Sequence, residues 1–403
     1  MTERDDATSR RTAAVVFGVG VTCALHVGKL PVAIPVLRDA LGLSLVQAGF
    51  LLSLVQLAGM TLGLVVGLMA DRLGPRRVML VGLVLLALGS ALGALAPGAD
   101  LLLLSRVVEG VGFLLAVLPA PGLLRQRVLH APTLSRALGW WGAYMPLGTA
   151  LALFFGAALM GAVGWRWAWS LLALFSLCAA AVLARCVSAD VQSRGPGPAP
   201  QPAAWGPRLK RTLAAPGPWW VALAFFFYSG QWLAVVGFLP TIYAQAGYGG
   251  VAVGALSALA AGINMVGNIG AGRLLAHGVR PGALLAVGFC AMGLGSVITF
   301  TAVGHPVWQY LAVLAFSGVG GLIPGTLFGL AVVLAPGDDT VSTTVGWMQQ
   351  LSALGQFIGP PLVAWVATQA GGWQSTWWVT GASSLLGLML AARLQAAWRR
   401  RTP

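Results

Sequence analysis

Charged residues are scarce in this chain. Only 8% of its 403 residues are Asp, Glu, Lys or Arg, whereas 58% are apolar. Soluble globular proteins carry roughly 25% charged residues, so this composition excludes an ordinary water-facing surface. The sequence therefore predicts a chain whose main solvent is lipid.

Cysteine and histidine are also rare, with four residues of each. Cys23, Cys178, Cys186 and Cys290 lie in or beside apolar runs without paired or metal-ligand spacing. We expect them to be small buried side chains, with neither a disulfide nor a metal site. His-Glu-x-x-His and Gly-x-Ser-x-Gly are both missing from the sequence. An enzyme is therefore not predicted, and no cofactor is expected.

Long apolar runs make up most of the chain. A helix that spans a bilayer needs about 20 mostly apolar residues, and we count about twelve such runs. They cover approximately residues 12–37, 45–70, 78–96, 101–124, 134–160, 167–187, 219–243, 251–276, 282–303, 307–334, 341–368 and 376–397. The predicted fold class is an all-α membrane protein with twelve transmembrane helices.

The basic residues give the formal charge of +14, and their positions predict the orientation of the chain. Of the 24 Lys and Arg residues, only Arg38 and Arg166 fall on one side of the predicted spans, and only Lys29 and Arg106 fall inside them. Basic loops face the cytoplasm, so we expect a multi-pass protein of the inner (plasma) membrane with both termini cytoplasmic. Its basic surface would contact anionic phospholipids rather than nucleic acid. We expect a monomer.

The chain divides into two similar halves. Residues 188–218 are polar and contain Gly-Pro-Gly-Pro at Gly195–Pro198, which predicts a flexible cytoplasmic linker between a bundle at 1–187 and a bundle at 219–403. Gly67–Arg76 is echoed by Gly272–Arg280, and Gly164 with its following tryptophan by Gly372, at offsets of 205 and 208 residues. Two agreeing offsets indicate a parallel internal repeat of six spans.

Two motifs resemble a known family. The Gly67–Arg77 loop resembles the signature loop between spans two and three of the major facilitator superfamily, and Arg106-Val-Val-Glu109-Gly110-Val-Gly112 resembles its second motif, in span four. Together with Trp141–Gly148 and Gly-Trp-Arg-x-x-Trp from Gly164, that second motif is similar to the cyanate and nitroimidazole permease branch. The resemblance implies two pseudo-symmetric six-helix bundles that give alternating access by a rocker switch.

The charges predicted inside the membrane are the main candidates for a site. His26 and Lys29 share one face of span one, and Arg106 and Glu109 share one face of span four. Because intramembrane charges are costly, we expect Arg106, Lys29 and His26 to bind an anionic solute, with Glu109 coupling protons. The alternative is an internal pair of Arg106 with Glu109 that braces the bundle and touches no solute.

The C-terminal half offers amides and aromatic residues instead of charges. We expect these side chains to complement the body of a small solute: Tyr228, Gln231, Trp232, Asn264 and Gln350. The alternative is that the amides bond between helices and the tryptophan lies at the membrane interface.

A cytoplasmic gate is predicted at the repeated loop. Residues Asp71, Arg72, Arg76 and Arg77 form its polar part, and the loop before span eleven carries Asp338 and Asp339 but neither Lys nor Arg. The resemblance implies that these two loops meet, so we expect Asp338 and Asp339 to pair with the arginines when the cytoplasmic side is shut. The alternative is simple capping of span eleven by Asp339 or Thr340.

The sequence therefore predicts a secondary active transporter of a small organic solute, an anion or carboxylate in the first hypothesis. In this first hypothesis, the solute is taken up into the cell and protons drive its uptake. The alternatives are a proton-coupled multidrug or metabolite efflux pump, although span five lacks the Gly-Pro pair and the following double glycine of the efflux signature, and a membrane sensor that binds ligand without moving it.

Overall fold

The computed structural model describes residues 3–128, 130–190 and 205–401, with the side chains of 3–6, 67–69, 71, 72, 131, 132, 135 and 205 excepted. Helices are the only regular elements in the described part, and no strand occurs in it. We number the long helices as spans 1 to 12. Their bounds, with short breaks inside some of them, are Glu3–Leu41, 45–73, Pro75–Ala94, Ala99–Arg127, 131–163, Trp165–Cys186, Pro216–Gln245, Gly250–Ala276, Pro281–Thr301, Pro306–Val333, Val341–Gln369 and Trp377–Arg401.

Eleven of these helical segments are long and apolar enough to cross a membrane. The exception among the described helices is span 12, which carries arginines at 393 and 399–401. Its length is that of a full span, and it packs against spans 7 and 9. Because those arginines lie in its last turns, the rest of the helix can still lie in lipid. The architecture is thus the predicted set of twelve helices.

Several spans are interrupted. Span 2 changes from an α-helix ending at Ser53 to a 3₁₀ turn at Leu54–Gln56, and resumes as an α-helix at Leu57. Span 8 breaks after Gly262 and resumes at Asn264. Residue 262 follows residue 56 by 206 positions, so these two breaks occupy equivalent places in the repeat. A 3₁₀ stretch within a helix often marks a hinge.

The two halves repeat the same helix pairings. Span 1 packs on spans 5 and 6, and span 3 packs on spans 4 and 6, while span 7 packs on spans 11 and 12, and span 9 on spans 10 and 12. The sequence Glu109-Gly-Val-Gly112 in span 4 recurs as Ser317-Gly-Val-Gly320 in span 10, again 208 residues later. Glycines on the neighbouring spans 3 and 9 let the backbones approach spans 4 and 10 closely. A Cβ atom at Gly89 of span 3 would lie 2.7 Å from the Glu109 nitrogen, and one at Gly295 of span 9 would lie 2.9 Å from the Ala312 oxygen.

The bundles meet along two seams. In the first seam, span 2 packs antiparallel on span 11, and in the second seam, span 5 packs on span 8. Gly49 lies on Pro361 in the first seam, and Gly254 lies on Leu153 and Ala157 in the second. Gly49 and Gly254 are 205 residues apart, and both lie near the membrane end far from the linker. At that far end the two bundles are in contact along both seams, and we call it closed for that reason.

The segment predicted as a flexible linker contains a helix, Trp205–Ala214, and span 7 begins at Pro216 rather than 219. Arg211 of this linker helix pairs with Asp339, and Thr212 bonds Thr343 at 2.8 Å. At the start of the linker, Asp190 accepts the backbone N–H groups of Arg76 and Arg77 at 3.3 and 3.0 Å. Each described end of the linker is therefore tied to the bundle next to it.

The cysteines depart from the expectation of burial. Cys23 is buried, but Cys178 and Cys290 are exposed, and Cys186 is partly buried and accepts a bond from Arg11. Spans 6 and 9 are apolar on all sides, so their outward faces suit lipid as well as a core. The apolar sequence around these cysteines therefore did not distinguish the core from the lipid-facing surface.

Candidate functional site

The four ionisable residues predicted inside the membrane lie together. His26, Lys29, Arg106 and Glu109 are each at most 2% exposed. Lys29 Nζ donates to Glu109 Oε1, Arg106 Nη1 donates to Glu109 Oε2, and His26 Nδ1 lies 3.1 Å from Oε1. A carboxylate only accepts, so His26 carries a proton on Nδ1. We call these four residues the charged cluster.

Neutral groups from neighbouring spans complete the charged cluster. Lys29 Nζ donates to Ser90 Oγ at 3.0 Å and lies 4.4 Å from the ring centre of Trp169. The other ring nitrogen of His26 lies 2.8 Å from Ser176 Oγ. Spans 1, 3, 4 and 6 of the first bundle supply all of these groups, so the polar contacts of His26 and Lys29 lie within that bundle.

Arg106 connects the charged cluster to the break in span 2. Its Nε donates to the Leu51 carbonyl at 3.3 Å, just before the break, and its Nη1 donates to the His26 carbonyl at 3.1 Å. Nη2 has no hydrogen-bond partner among the described residues. Next on span 4, Gly110 packs on the break itself, since a Cβ atom there would lie 2.6 Å from the Val55 oxygen.

The second bundle holds a neutral counterpart of the charged cluster. Ser384 Oγ donates to Gln231 Oε1 at 3.0 Å. Gln231 follows His26 by 205 residues and Ser384 follows Ser176 by 208, so the pair occupies the place of His26 and Ser176. The Gln231 Nε2 group is buried without a partner in the described part of the chain. The second bundle therefore keeps polar side chains at these two positions, but neither of them is ionisable.

Three further predicted residues form one network in the second bundle. Tyr228 bonds the Asn264 side chain, with atom separations of 3.0 and 3.2 Å, and Asn264 Nδ2 also donates to the Ser317 carbonyl at 2.8 Å. Trp232 Nε1 donates to Ser317 Oγ at 3.1 Å. The amide and aromatic groups thus bond between spans 7, 8 and 10, and Trp232 is buried there and not at the membrane interface.

Gln350 reaches the other bundle. Its Nε2 donates to the Met60 carbonyl at 2.7 Å across the first seam, and its buried Oε1 has no partner among the described residues. Nearby, Gln56 Nε2 donates to Gln356 Oε1 at 3.0 Å. Sequence reasoning gave Gln56 no site assignment, although it is a polar residue near the middle of an apolar span. It could have been found by the argument that singled out Lys29 and Arg106.

The predicted gate residues have other partners in this structure. Asp339 contacts Arg211 and Arg208 of the linker helix instead of Arg76 or Arg77, and Asp338 is exposed. Arg76 Nη2 donates to the Ala184 carbonyl at 2.6 Å. The linker helix, which the Gly-Pro pattern did not predict, supplies the arginines near Asp339. The side chains of residues 71 and 72, the predicted Asp71 and Arg72, lie outside the described residues.

Known proteins resemble this chain in sequence and fold. The family model of the Major Facilitator Superfamily matches residues 13–360. The chain is 34% identical to the puromycin resistance protein pur8 of Streptomyces alboniger over 34% of this chain and 27% of that protein. It is 28% identical to the methylenomycin A resistance protein of Bacillus subtilis strain 168 over 38% of this chain and 33% of that protein. These matches thus span about a third or less of each relative.

The fold of the whole chain is also similar to that of a solved structure. It is a bacterial homologue of the human lysosomal transporter Spinster in an inward-facing and unoccupied conformation, with a TM-score of 0.75, covering 100% of this chain and 98% of that one. At 14% identity, this likeness shows the fold alone. The family match covers most of the sequence, and the fold agrees with it. The chain belongs to the major facilitator superfamily.

Proposed function

We propose that this transporter exports a small organic solute in exchange for protons, and that Glu109 carries the coupling proton. The burial of Glu109 between Lys29, Arg106 and His26 is the observation that carries the proposal. Two of the curated relatives are named for resistance to antibiotics, which favours export over the first hypothesis of uptake. Membership of the superfamily favours transport over catalysis or sensing.

Charge balance explains why protonation of Glu109 would change the structure. Two bases and one acid leave the charged cluster at +1 when His26 is neutral. A proton on Glu109 removes its only carboxylate and leaves Lys29 and Arg106 as buried cations without a counter-ion. Uncompensated buried charge is strongly unfavourable. Proton binding would therefore favour a different arrangement of these spans.

The contacts of span 4 offer a route from this change to the seam between the bundles. Arg106 donates to Leu51 just before the break in span 2, and Gly110 packs against Val55 within it. Release of Arg106 from Glu109 would free its side chain to move, and would weaken the bond that it donates to Leu51 beside the break. Because span 2 forms the first seam with span 11, the protonation state would bias how the bundles rock.

The proposal includes the predicted orientation in the inner membrane. With both termini cytoplasmic, the end near the linker faces the cytoplasm and the closed far end faces outwards. The loop at Asp71, Arg72, Arg76 and Arg77 would then be part of the cytoplasmic gate. In that gate, Asp338 and Asp339 would exchange their present surroundings for these arginines as the cytoplasmic side closes.

Transport in proteoliposomes tests the proposed direction. With a lumen about one pH unit more acidic than the medium, the purified transporter should concentrate puromycin inside about tenfold, because one proton then supplies about 1.4 kcal/mol. Protein-free liposomes correct for passive accumulation of the amine. Accumulation only with an acidic medium would instead indicate symport, and would contradict export.

A second function, transport of an organic anion, is favoured by one observation. Arg106 Nη2 is a buried donor without a partner among the described residues. Guanidinium groups often bind carboxylates in a bidentate manner, through two parallel hydrogen bonds. In this hypothesis Lys29 supplies a second positive charge and His26 a further contact. The solute would need to reach a group that now lies inside the first bundle.

The substitution Arg106→Ala tests the anion hypothesis. The hypothesis predicts that uptake of small carboxylates such as benzoate into proteoliposomes is abolished even well below the lowered melting temperature that loss of the partner of Glu109 causes. Uptake that is lost only as the variant unfolds would assign Arg106 to bracing Glu109 instead. Arg166→Ala is the control, since Arg166 stacks on Trp165 near the membrane end far from the linker.

A further inference from the structure

A hydrogen bond joins the two bundles near the middle of the membrane. Gln56 Nε2 of span 2 donates to Gln356 Oε1 of span 11 at 3.0 Å, and Gln356 Nε2 lies 3.3 Å from Ser352 Oγ. Gln56 is 5% exposed. Any motion that separates span 2 from span 11 must break this bond. In a non-aqueous setting, a separated amide needs a new partner.

Gln56 lies where the α-helix of span 2 is interrupted. Gln56 is the last residue of the 3₁₀ turn, which interrupts the span near its middle. The equivalent interruption in span 8 lies at Gly262, and Asn264 follows it. Interruptions at corresponding positions of two halves are typical of binding sites in transporters, because the bilayer midplane is where both bundles can reach a solute.

The two seams differ at this depth. The pseudo-symmetric equivalents of Gln56 and Gln356 are Gly262 and Ala150, at offsets of 206 residues. These residues also face each other, since a Cβ atom at Gly262 would lie 3.4 Å from Ala150. One seam therefore has a pair of carboxamides where the other has only small apolar groups. Hydrogen-bonding capacity at this depth is concentrated on the side of span 11.

A buried acceptor on span 11, six residues before Gln356, lacks a donor among the described residues. Gln350 Oε1 has no partner among the described residues, although its Nε2 donates to Met60. Gln350 and Gln356 lie on the part of span 11 that faces span 2. Buried polar atoms are rarely left unpaired. This acceptor is available to a donor on a molecule that enters the first seam.

We propose that Gln56, Gln356 and Gln350 form a solute site in the first seam, which takes an uncharged group that both donates and accepts hydrogen bonds, such as an amide or hydroxyl on an apolar body. The inference rests on the proposed export function and deepens it by giving the class of solute. The solute replaces the bond between Gln56 and Gln356, and its donor meets Gln350 Oε1. A molecule without such a group leaves the separated amides unpaired, and is rejected for that reason.

The test compares Gln56→Met and Gln356→Met with a matched control. Methionine keeps the approximate volume but cannot form the bond. The control is Gln395→Met, which removes a glutamine that accepts from the Gly282 N–H at 2.8 Å on distant spans 9 and 12. Puromycin, which carries an amide and hydroxyls, is the probe. We expect each seam variant to raise the KM for puromycin about tenfold, and the double variant to raise it little further, because each residue is the other's partner.

Equilibrium binding separates this proposal from the proposed function. The rise in melting temperature that puromycin causes is measured for each purified variant relative to its own ligand-free value. Binding weakened by the seam substitutions, without transport by the wild type, overturns export and supports the site. Transport and binding that the seam substitutions leave unchanged overturn the site. Absence of both binding and transport in the wild type overturns both proposals for this class of solute.

Discussion

Replacement of Glu109 by glutamine is expected to abolish transport driven by a pH gradient. The substitution keeps the size of the side chain but removes the carboxylate that faces Lys29, Arg106 and His26. Glutamine also has no proton to release, so a gradient would no longer drive the cycle. Exchange of solute for solute, which requires no net proton movement, should persist. Proteoliposomes with and without an imposed gradient measure both activities.

The same substitution should also lower stability, because it leaves two buried cations without an acid. Breaking a buried ion pair in this way costs about 3–5 kcal/mol. The double variant Glu109→Gln with Lys29→Met restores the net charge of +1 that the wild-type charged cluster carries. We expect it to regain much of the lost melting temperature but none of the proton-driven transport. Recovery of proton-driven transport in the double variant would show that Glu109 has only a structural role.

Asp100→Asn is the matched control for Glu109→Gln. Asp100 lies on the same span but in its first turn, where its side chain is exposed. Its neutralisation removes one negative charge from the chain without touching the charged cluster. We expect unchanged proton-driven transport and a change in melting temperature that is small by comparison. An equal effect of both substitutions would mean that overall charge, and not the carboxylate at 109, controls transport.

The helices and their six-span repeat were largely predictable, because hydropathy and repeat offsets can be read along the chain, whereas the pairing of the spans came from the structure. The sharing of one face by His26 and Lys29, and of another by Arg106 and Glu109, also followed from spacing, since residues three apart lie on the same side of a helix. The rotation of each span was not predictable. A helix that is apolar all round gives no periodic signal of which side faces the partner bundle. The sequence therefore did not show that Lys29 packs against Ser90 and Trp169.

Contacts made across long separations were the other part that the sequence did not predict. Gln350 was singled out for its residue type, but its partner at Met60 lies 290 residues away and is a backbone carbonyl, which leaves no trace in the side-chain pattern. Asp339 was expected to pair with Arg72, Arg76 or Arg77 when the cytoplasmic side is shut, and in this structure the linker helix supplies Arg211 as its partner. A short helix in a Gly-Pro-rich segment obtains its stability from such tertiary contacts more than from local preference. The sequence alone therefore did not determine the partner of Asp339.

Enlarging Gly49 or Gly254 is expected to prevent closure of the membrane end far from the linker. A Cβ atom at Gly49 would lie 2.8 Å from Pro361 Cα, and one at Gly254 would lie 2.8 Å from Ala157 Cβ and 3.0 Å from the Leu153 oxygen. Backbone atoms on the partner span cannot move aside as a flexible side chain would. Gly49→Leu and Gly254→Leu should therefore each favour the conformation in which this end is open, and transport should fall to background.

Cysteine labelling measures that shift directly. Leu52→Cys, in a background without the four native cysteines, places a thiol at a 2% exposed position that packs against Gly237 of span 7. A membrane-impermeant maleimide added from outside should label it slowly in the parent, and at least about tenfold faster in either glycine variant, since tenfold corresponds to a population shift of about 1.4 kcal/mol. Gly250→Leu is the control, because a Cβ atom there meets nothing within 4 Å. Unchanged labelling in Gly49→Leu and Gly254→Leu would mean that these glycine contacts do not hold the far end closed. If Gly250→Leu accelerated labelling equally, the faster labelling would be due to general loosening of span 8.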